Sequence, residues 1–391
     1  MISVSDAVSR VLSLARPLPS ESIPLSEGLG RVLAAPVQAE LTQPPFHSAA
    51  MDGYALRRTD LDGPLRVIGE AAAGRPWTGE AAAGTAVRIF TGAPVPEGYD
   101  LVVMQEDVKR ETDHIRVIEA QKRDNIRSQG IDFHKGTHFD PRRPLSARDL
   151  GLIAAMNIAE LRVVRRPRVA IIAGGDELVP PGSTPSPDQI ICSNDIAVAA
   201  VARLAGAEAE CLPIAADSID SLRDRFSRAA GADLIVTIGG ASVGDHDLIA
   251  AVTEGLGMQR EFYKVAMRPG KPLIAGKIKG SAMLGLPGNP VSSIVCAEIF
   301  MRPLLREMVG LPREERLRRG RLGSDLSAEG NRMHFLRAAL ENVNCEEVVT
   351  PFPDQDSARL GLLAEADALL VRPPNDPARK KGTFVEFMRL D

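Results

Sequence analysis

From Arg165 to Val309 the chain alternates between strand and helix patterns, and this alternation limits the possible folds more than any other feature. Val169-Ala170-Ile171-Ile172 is a continuous apolar run, and the stretch from Asp233 to Ile238 is another, as in strands covered on both faces. Helices are expected over residues 195–204, 220–230, 248–256 and 291–309, from apolar residues at helical spacing. Further strands are expected over 208–214, 262–267, 273–275 and 282–284. The pattern requires a mostly parallel sheet with helices on both faces. Ligands of such sheets lie outside the carboxyl ends of the strands.

Two glycine loops fall at those ends. The first is Gly239-Gly240-Ala241-Ser242-Val243-Gly244-Asp245-His246-Asp247. It follows a buried strand and precedes a helix, but it is neither G-x-G-x-x-G nor a Walker loop, so a tight turn explains it equally well. The second is Gly285-Leu286-Pro287-Gly288-Asn289-Pro290. Asn289 suits an N-cap and Pro290 the first helical position. The amides of that first turn favour an anion, and Gly285 and Gly288 permit close backbone approach. Between the loops, Lys264, Arg268 and Lys271 bracket Pro269-Gly270. Charge clusters are usually solvated faces, but a backbone fixed by Pro and Gly makes these cations converge on an oxyanion. Asp176, Glu177, Asp217, Asp245 and Asp247 lie at strand ends or loops of the same sheet. Singly, each reads as a helix N-terminal acid. Together, beside phosphate loops, they suit Mg²⁺.

The flanking chain divides into smaller units. A helix is expected from Val4 to Leu14, a short one over 26–33, and a strand over 37–41. Asp52-Gly53 is a turn pair that presents a carboxylate, and a purely structural turn is the commoner case. Thr91 lies beside Gly92 at a strand end, where it could contact phosphate, although a turn-capping Thr is the more common case. Asp132 ends a polar loop that begins at Asn125. A helix capped by Ser146 follows, over 146–158. The expected division is a discontinuous helical/β N-terminal domain (1–43 plus 141–166) that carries an inserted β-rich domain (44–140). An α/β domain (167–310) and a small C-terminal β domain (311–391) with one helix over 357–365 complete the α/β multidomain chain.

Composition excludes several classes. Aromatics make up only 4% of the 391 residues and the formal net charge is −4, which argues against nucleic acid as a partner. Four scattered cysteines give neither a metal motif nor a disulfide framework and fit the cytoplasm. No signal peptide and no membrane-length apolar run is read.

Six stretches, in order, resemble the molybdopterin molybdenumtransferase (MoeA) family, whose animal relative is the C-terminal domain of gephyrin. They are Met51-Asp52-Gly53-Tyr54-Ala55, Thr91-Gly92-Ala93-Pro94-Val95-Pro96, Gly175-Asp176-Glu177-Leu178, Gly239 to Asp247, Lys264 to Pro272, and Leu286 to Ser292. The resemblance implies a homodimer whose α/β domain binds molybdopterin. It implies insertion of molybdate into adenylylated molybdopterin with Mg²⁺-dependent release of AMP. It also implies contact with the molybdopterin adenylyltransferase and with recipient molybdoenzymes.

Carried over by motif, Asp217 and Asp247 are the Mg²⁺ carboxylates, and Asp52, Thr91, Asp132 and Glu177 match positions needed for activity. Asp52 and Thr91 act on the partner subunit's site. Gly239, Gly240, Ser242, Gly244, Lys264, Arg268, Lys271, Pro287, Gly288, Asn289 and Pro290 contact substrate. Arg337 and Ser357 match C-terminal positions near the oxyanion. The chain departs from the family at His47-Ser48-Ala49, Ile131, Cys192 and Arg268. These departures raise the alternative of a non-catalytic molybdopterin carrier or scaffold. A general nucleotide-pyrophosphate hydrolase of the same fold is a third reading.

Overall fold

The computed structural model describes residues 1–119, 122–239 and 248–390. The chain forms two compact units, one of residues Ser22–Val163 and one of Met1–Glu21 with Val164–Asp391.

The larger unit contains the expected α/β sheet. Its six strands run in the order Glu208–Cys211, Arg168–Ala173, Leu234–Ile238, Ser281–Leu286, Ile274–Ile278 and Gln259–Tyr263. The first four are mutually parallel, and the last two run antiparallel at one edge. Alternate residues face opposite ways, as the period of two requires. Val169 and Ile171 join one core with Val198, Leu234, Val236, Val295 and Phe300, while Ala170 and Ile172 join another with Leu222, Phe226, Ile235 and Ile249. Helices therefore cover both faces.

The helix Val4–Leu12, capped by Ser3, buries Val4, Ala7, Val8 and Val11 in the first of these cores. Sequence grouped this segment with residues 22–43 and 141–166, yet it packs with the α/β body. The helix expected over 291–309 is continuous but changes pitch. Pro290–Cys296 and Arg302–Met308 are α-helical, and Ala297–Met301 between them is a π-turn. Pro303 lacks the N–H that an α ladder needs here.

A second six-stranded sheet closes this unit, in the order Met267–Arg268, Met333–Val343, Glu346–Pro351, Leu317–Leu322, Phe384–Arg389 and Ala368–Arg372. Ala368–Arg372 also pairs with Met333–Val343, so the five longer strands wrap around Leu322, Leu336, Val349, Leu370 and Phe387 as a small barrel. The expected helix over 357–365 shortens to Leu360–Ala364.

The smaller unit holds a β-rich sheet in the order Leu101–Met104, Gly53–Leu56, Thr85–Ile89, Leu65–Ala71, His114–Val117 and Val108–Glu111. Beside it, the helix Ala147–Ala155 starts at a capping box in which the Ser146 N–H and hydroxyl both donate to Asp149. Arg143 donates to the same carboxylate and holds its pKa far below the usual range. The helix expected over 26–33 is only the short turn Leu25–Glu27, because Gly30 takes φ +72° and stops propagation. The strand expected over 37–41 is reduced to Val37–Gln38. Among the described residues, no helix is long and apolar enough to cross a membrane.

Candidate active site

Three of the parallel strands end in register, at Ala173, Ile238 and Leu286. The strand Arg168–Ala173 has Glu208–Cys211 on one side and Leu234–Ile238 on the other, so the connection reverses direction between them. A crevice at such a reversal is where α/β sheets take ligands. The backbone here is tight. The Gly239 N–H donates to Leu286 O, and Gly174 N–H donates to Ile238 O. Gly239 has φ +88°, and a Cβ there would lie 3.0 Å from Gly174 O. Only glycine meets both conditions. Gly288 passes close to Gly239, and its carbonyl accepts from Asn194 Nδ2 at 2.7 Å. Gly240, Ser242, Gly244, Asp245 and Asp247 lie outside the described residues.

Asp176, Glu177 and Asp217 are exposed at these strand ends. Asp176 Oδ1 accepts from the Asp217 backbone N–H at 3.0 Å, which ties the two loops together. Gly175 has φ +149°, and a side chain there would collide with the Glu177 carboxylate. Pro287, within the second glycine loop, is buried. Gly285 lies inside the strand Ser281–Leu286, where a Cβ would come within 3.2 Å of Ile274 and Thr237. Its role is strand packing, not the ligand approach that sequence indicated.

A pocket of about 340 Å³ opens beside the second loop. Arg268, Lys271, Asn289 and Ser357 line it, so four of the expected contacts meet there. Strand pairing explains the convergence. Met267 and Arg268 run parallel to Met333 and His334, which brings the basic loop onto the C-terminal sheet. The loop itself is closed by Val265 N–H donating to Lys271 O and Lys264 N–H to Leu273 O, both at 3.1 Å. Asn289 occupies the N-cap position, but its side chain does not cap the helix. Its Nδ2 donates instead to Ser357 Oγ at 3.0 Å, and the Val291 N–H reaches Ser357 O. Pro290 opens the helix, as expected.

Two expected contacts lie elsewhere. Lys264 does not line the pocket, and its ammonium sits 5.1 Å from the centre of the Tyr263 ring. Arg337 is 1% exposed. It donates to Gln355 Oε1, Arg359 O and Asp354 O, so it braces the 354–359 loop from behind. Sequence reasoning missed Ser292, Arg332, Gln355 and Asp356, which also line the pocket. Arg332 lay within reach, since it stands just before a strand beside His334-Phe335-Leu336-Arg337. The partner strand of that segment could not be read.

In the smaller unit, Asp52 Oδ1 accepts from both the backbone N–H and the hydroxyl of Thr91, each at 2.7 Å. These bonds hold the Asp52 carboxyl below its ordinary pKa, so it stays ionised through the physiological range. Arg88 donates to the neighbouring Gly53 carbonyl and lies over the Tyr54 and Phe90 rings. Asp132 is exposed on a loop anchored by its own N–H to Gln43 O. The same loop is tied to His47 through the Gln129 N–H. The loops carrying Asp52, Thr91 and Asp132 thus belong to one cluster, held further by Ala50 N–H to Asn125 O and Gly92 N–H to Ala49 O. Thr91→Val is expected to raise the Asp52 pKa part of the way toward its ordinary value, because the hydroxyl bond is lost while the larger contribution, the Thr91 backbone N–H, remains. Carboxyl chemical shifts followed against pH would check this. A titration unchanged from native would refute it.

Of the departures from family pattern, Cys192 is buried and its Sγ contacts Asp195 Oδ1 at 3.3 Å. Burial, with the neighbouring carboxylate, pushes its pKa up to about 12, so it remains a neutral thiol. Ile131 is exposed.

A doubly wound α/β body with glycine-lined strand ends and a cationic pocket is the architecture of a phosphate- or oxyanion-binding protein. Three family descriptions match the chain in order. They are the MoeA N-terminal region (domain I and II) over residues 2–157, a probable molybdopterin binding domain over 170–307, and the MoeA C-terminal region (domain IV) over 319–390. A molybdopterin molybdenumtransferase of Nostoc sp. is 33% identical, covering 100% of this chain and 94% of its own length. Molybdopterin molybdenumtransferase 2 of Mycobacterium tuberculosis is 36% identical, covering 98% and 97%. A solved molybdopterin biosynthesis MoeA protein from Pyrococcus horikoshii superimposes with a TM-score of 0.86 at 30% identity, covering 100% of this chain and 99% of that one. The chain belongs to the molybdopterin molybdenumtransferase (MoeA) family.

Proposed function

We propose that the protein completes molybdenum cofactor biosynthesis by inserting molybdate into adenylylated molybdopterin and releasing AMP. The observation that carries this reading is the pocket in which Arg268, Lys271 and Arg332 meet beside the glycine-lined strand ends. Among the described residues, none of these three side chains is engaged in an ion pair or hydrogen bond. Unpaired cations on fixed backbone suit a small dianion such as molybdate.

In this reading Gly239, Gly240, Ser242, Gly244, Pro287, Gly288, Asn289 and Pro290 hold the pterin substrate and its phosphates. Arg268, Lys271 and Ser357 hold molybdate. Lys264 and Arg337 support the walls rather than touching the anion. Holding molybdate beside the dithiolene converts an encounter into a local transfer.

Magnesium fits the donor set. Asp217 is an exposed hard-oxygen donor on a pinned backbone, and Mg²⁺ commonly takes only one or two protein carboxylates with substrate oxygens. Asp217 and Asp247 would hold it, and it would neutralise pyrophosphate charge. Glu177 follows Asp176, whose side chain bonds the Asp217 backbone. Asp52, Thr91 and Asp132 serve the site from the 44–140 region, with Asp52 and Thr91 acting on the partner subunit of a homodimer. The four functional domains are 1–43 with 141–166, 44–140, 167–310 and 311–391, with the first helix packed on the α/β core. The setting is cytoplasmic, with the molybdopterin adenylyltransferase upstream and recipient molybdoenzymes downstream. The test is AMP release from adenylylated molybdopterin with Mg²⁺ and molybdate. Release no faster than without protein counts against the reading, and tight binding with intact nucleotide would select a carrier.

A further inference from the structure

Arg88 lies outside all six family stretches, yet it stands among the loops that carry Asp52 and Thr91. In the sheet of the smaller unit it pairs across the strands with Tyr54. Its guanidinium carbon sits 5.0 Å from the centre of the Tyr54 ring and 4.9 Å from that of Phe90, so two aromatic rings fix its place. Both terminal nitrogens are engaged. Nη1 donates to Gly53 O at 3.1 Å and Nη2 to Gln105 Oε1 at 2.5 Å. The Gln105 N–H in turn donates to Asp52 O at 3.1 Å. Arg88 therefore grips the backbone of the Asp52-Gly53 turn directly and through Gln105, while Thr91 grips the carboxylate. The turn has no slack on its other side. A Cβ at Gly53 would fall 1.9 Å from Val103 O, so the backbone is packed against the strand Leu101–Met104.

We propose that Arg88 is a positioning residue that fixes where the Asp52 carboxylate points, acting through Gly53 and Gln105 rather than by bonding the carboxylate. The inference rests on reading Asp52 as a residue of the transferase site. The chemistry of the side chain suits the task. A planar guanidinium holds two acceptors in set directions and stacks on rings, whereas an ammonium is a point donor on a flexible stem. Its charge is the lesser contribution. The Asp52 pKa is held down first by the Thr91 N–H and then by the Thr91 hydroxyl, with Arg88 adding less. What Arg88 supplies is geometry, and a displacement of about 1 Å in a reacting group can cost about 10²-fold in rate.

The experiment measures kcat and the KM for molybdate in AMP release, and follows the Asp52 carboxyl chemical shift against pH, with the full-length protein. Arg88→Met keeps an unbranched chain beside the rings and removes both donors. It is expected to lower kcat at least about tenfold, with the KM for molybdate close to native, because molybdate is held elsewhere. Arg88→Lys should leave the Asp52 titration close to native, since the charge remains, yet recover little of kcat, since the fork is gone. Gln105 is exposed, so Gln105→Ala should fold like native, and it should still lower kcat. Full recovery of kcat in Arg88→Lys would show that charge, not positioning, is what Arg88 supplies, and would overturn the proposal. So would native kcat in Arg88→Met and Gln105→Ala beside an inactive Asp52→Asn, a result that leaves the transferase reading standing. If Asp52→Asn releases AMP as fast as native, Asp52 is no part of the site, and that part of the reading falls together with this inference.

Discussion

Lys271→Ala is expected to lower molybdate-dependent AMP release by about 10²–10³-fold, the usual cost of removing one preorganised partner of a developing or bound oxyanion. The side chain lines the pocket and is exposed, so its loss leaves no buried group unpaired. Its backbone carbonyl, not its ammonium, closes the basic loop through the Val265 N–H. The loop should therefore keep its shape, and folding should be unaffected. Lys271→Arg should restore a fraction of the activity, since charge returns without the same reach. Steady-state AMP release with a parallel thermal melt would check this. Retained activity within a few-fold of native would remove Lys271 from the site.

Arg372→Leu is expected to destabilise the C-terminal barrel by roughly 3–5 kcal/mol, the cost of breaking a buried ion pair from one side. Arg372 is 1% exposed and Asp376 is 4% exposed. Arg372 pairs with Asp376 and donates to Ser327 O at 3.1 Å and Pro377 O at 2.9 Å. It also stands 3.9 Å from Glu329, which holds the buried His334 at 3.0 Å. Arg379 would still engage Asp376, so the carboxylate would not be abandoned completely. Two carbonyls and one side of the buried carboxylate would lose their donor. The effect should reach the pocket too, because His334 lies opposite Arg268 in the strand pairing. Urea denaturation compared with native would measure it, and a loss below about 1 kcal/mol, the scale of a surface pair, would contradict the account.

The α/β sheet was legible because its apolar runs carry their own explanation. Val169 to Ile172 needs cover on both faces, and the two separate cores around it supply that cover. The pocket was half legible. Arg268 and Lys271 stand out beside Pro269-Gly270, and Asn289 stands out before Pro290. What placed them together was a parallel pairing between residues 267–268 and 333–334, a long-range register that no local pattern announces. For the same reason Arg332 was missed, and Lys264 and Arg337 were assigned to the anion. Residues 26–33 suggest a short helix, but the backbone follows Gly30, whose φ of +72° stops it. Asn289 shows a subtler limit. Its position follows from sequence, but its side chain turns to Ser357, which lies 68 residues away.

The central claim is that this chain couples adenylate cleavage to molybdate at one magnesium-assisted site. The most direct measurement is AMP release from adenylylated molybdopterin by the native protein and by Asp247→Ala, with molybdate and Mg²⁺ each present or withheld. The account predicts AMP release by the native protein only when both are present, and little from Asp247→Ala under any condition. AMP release by the native protein that is indifferent to molybdate, or an Asp247→Ala variant as active as native, would contradict it.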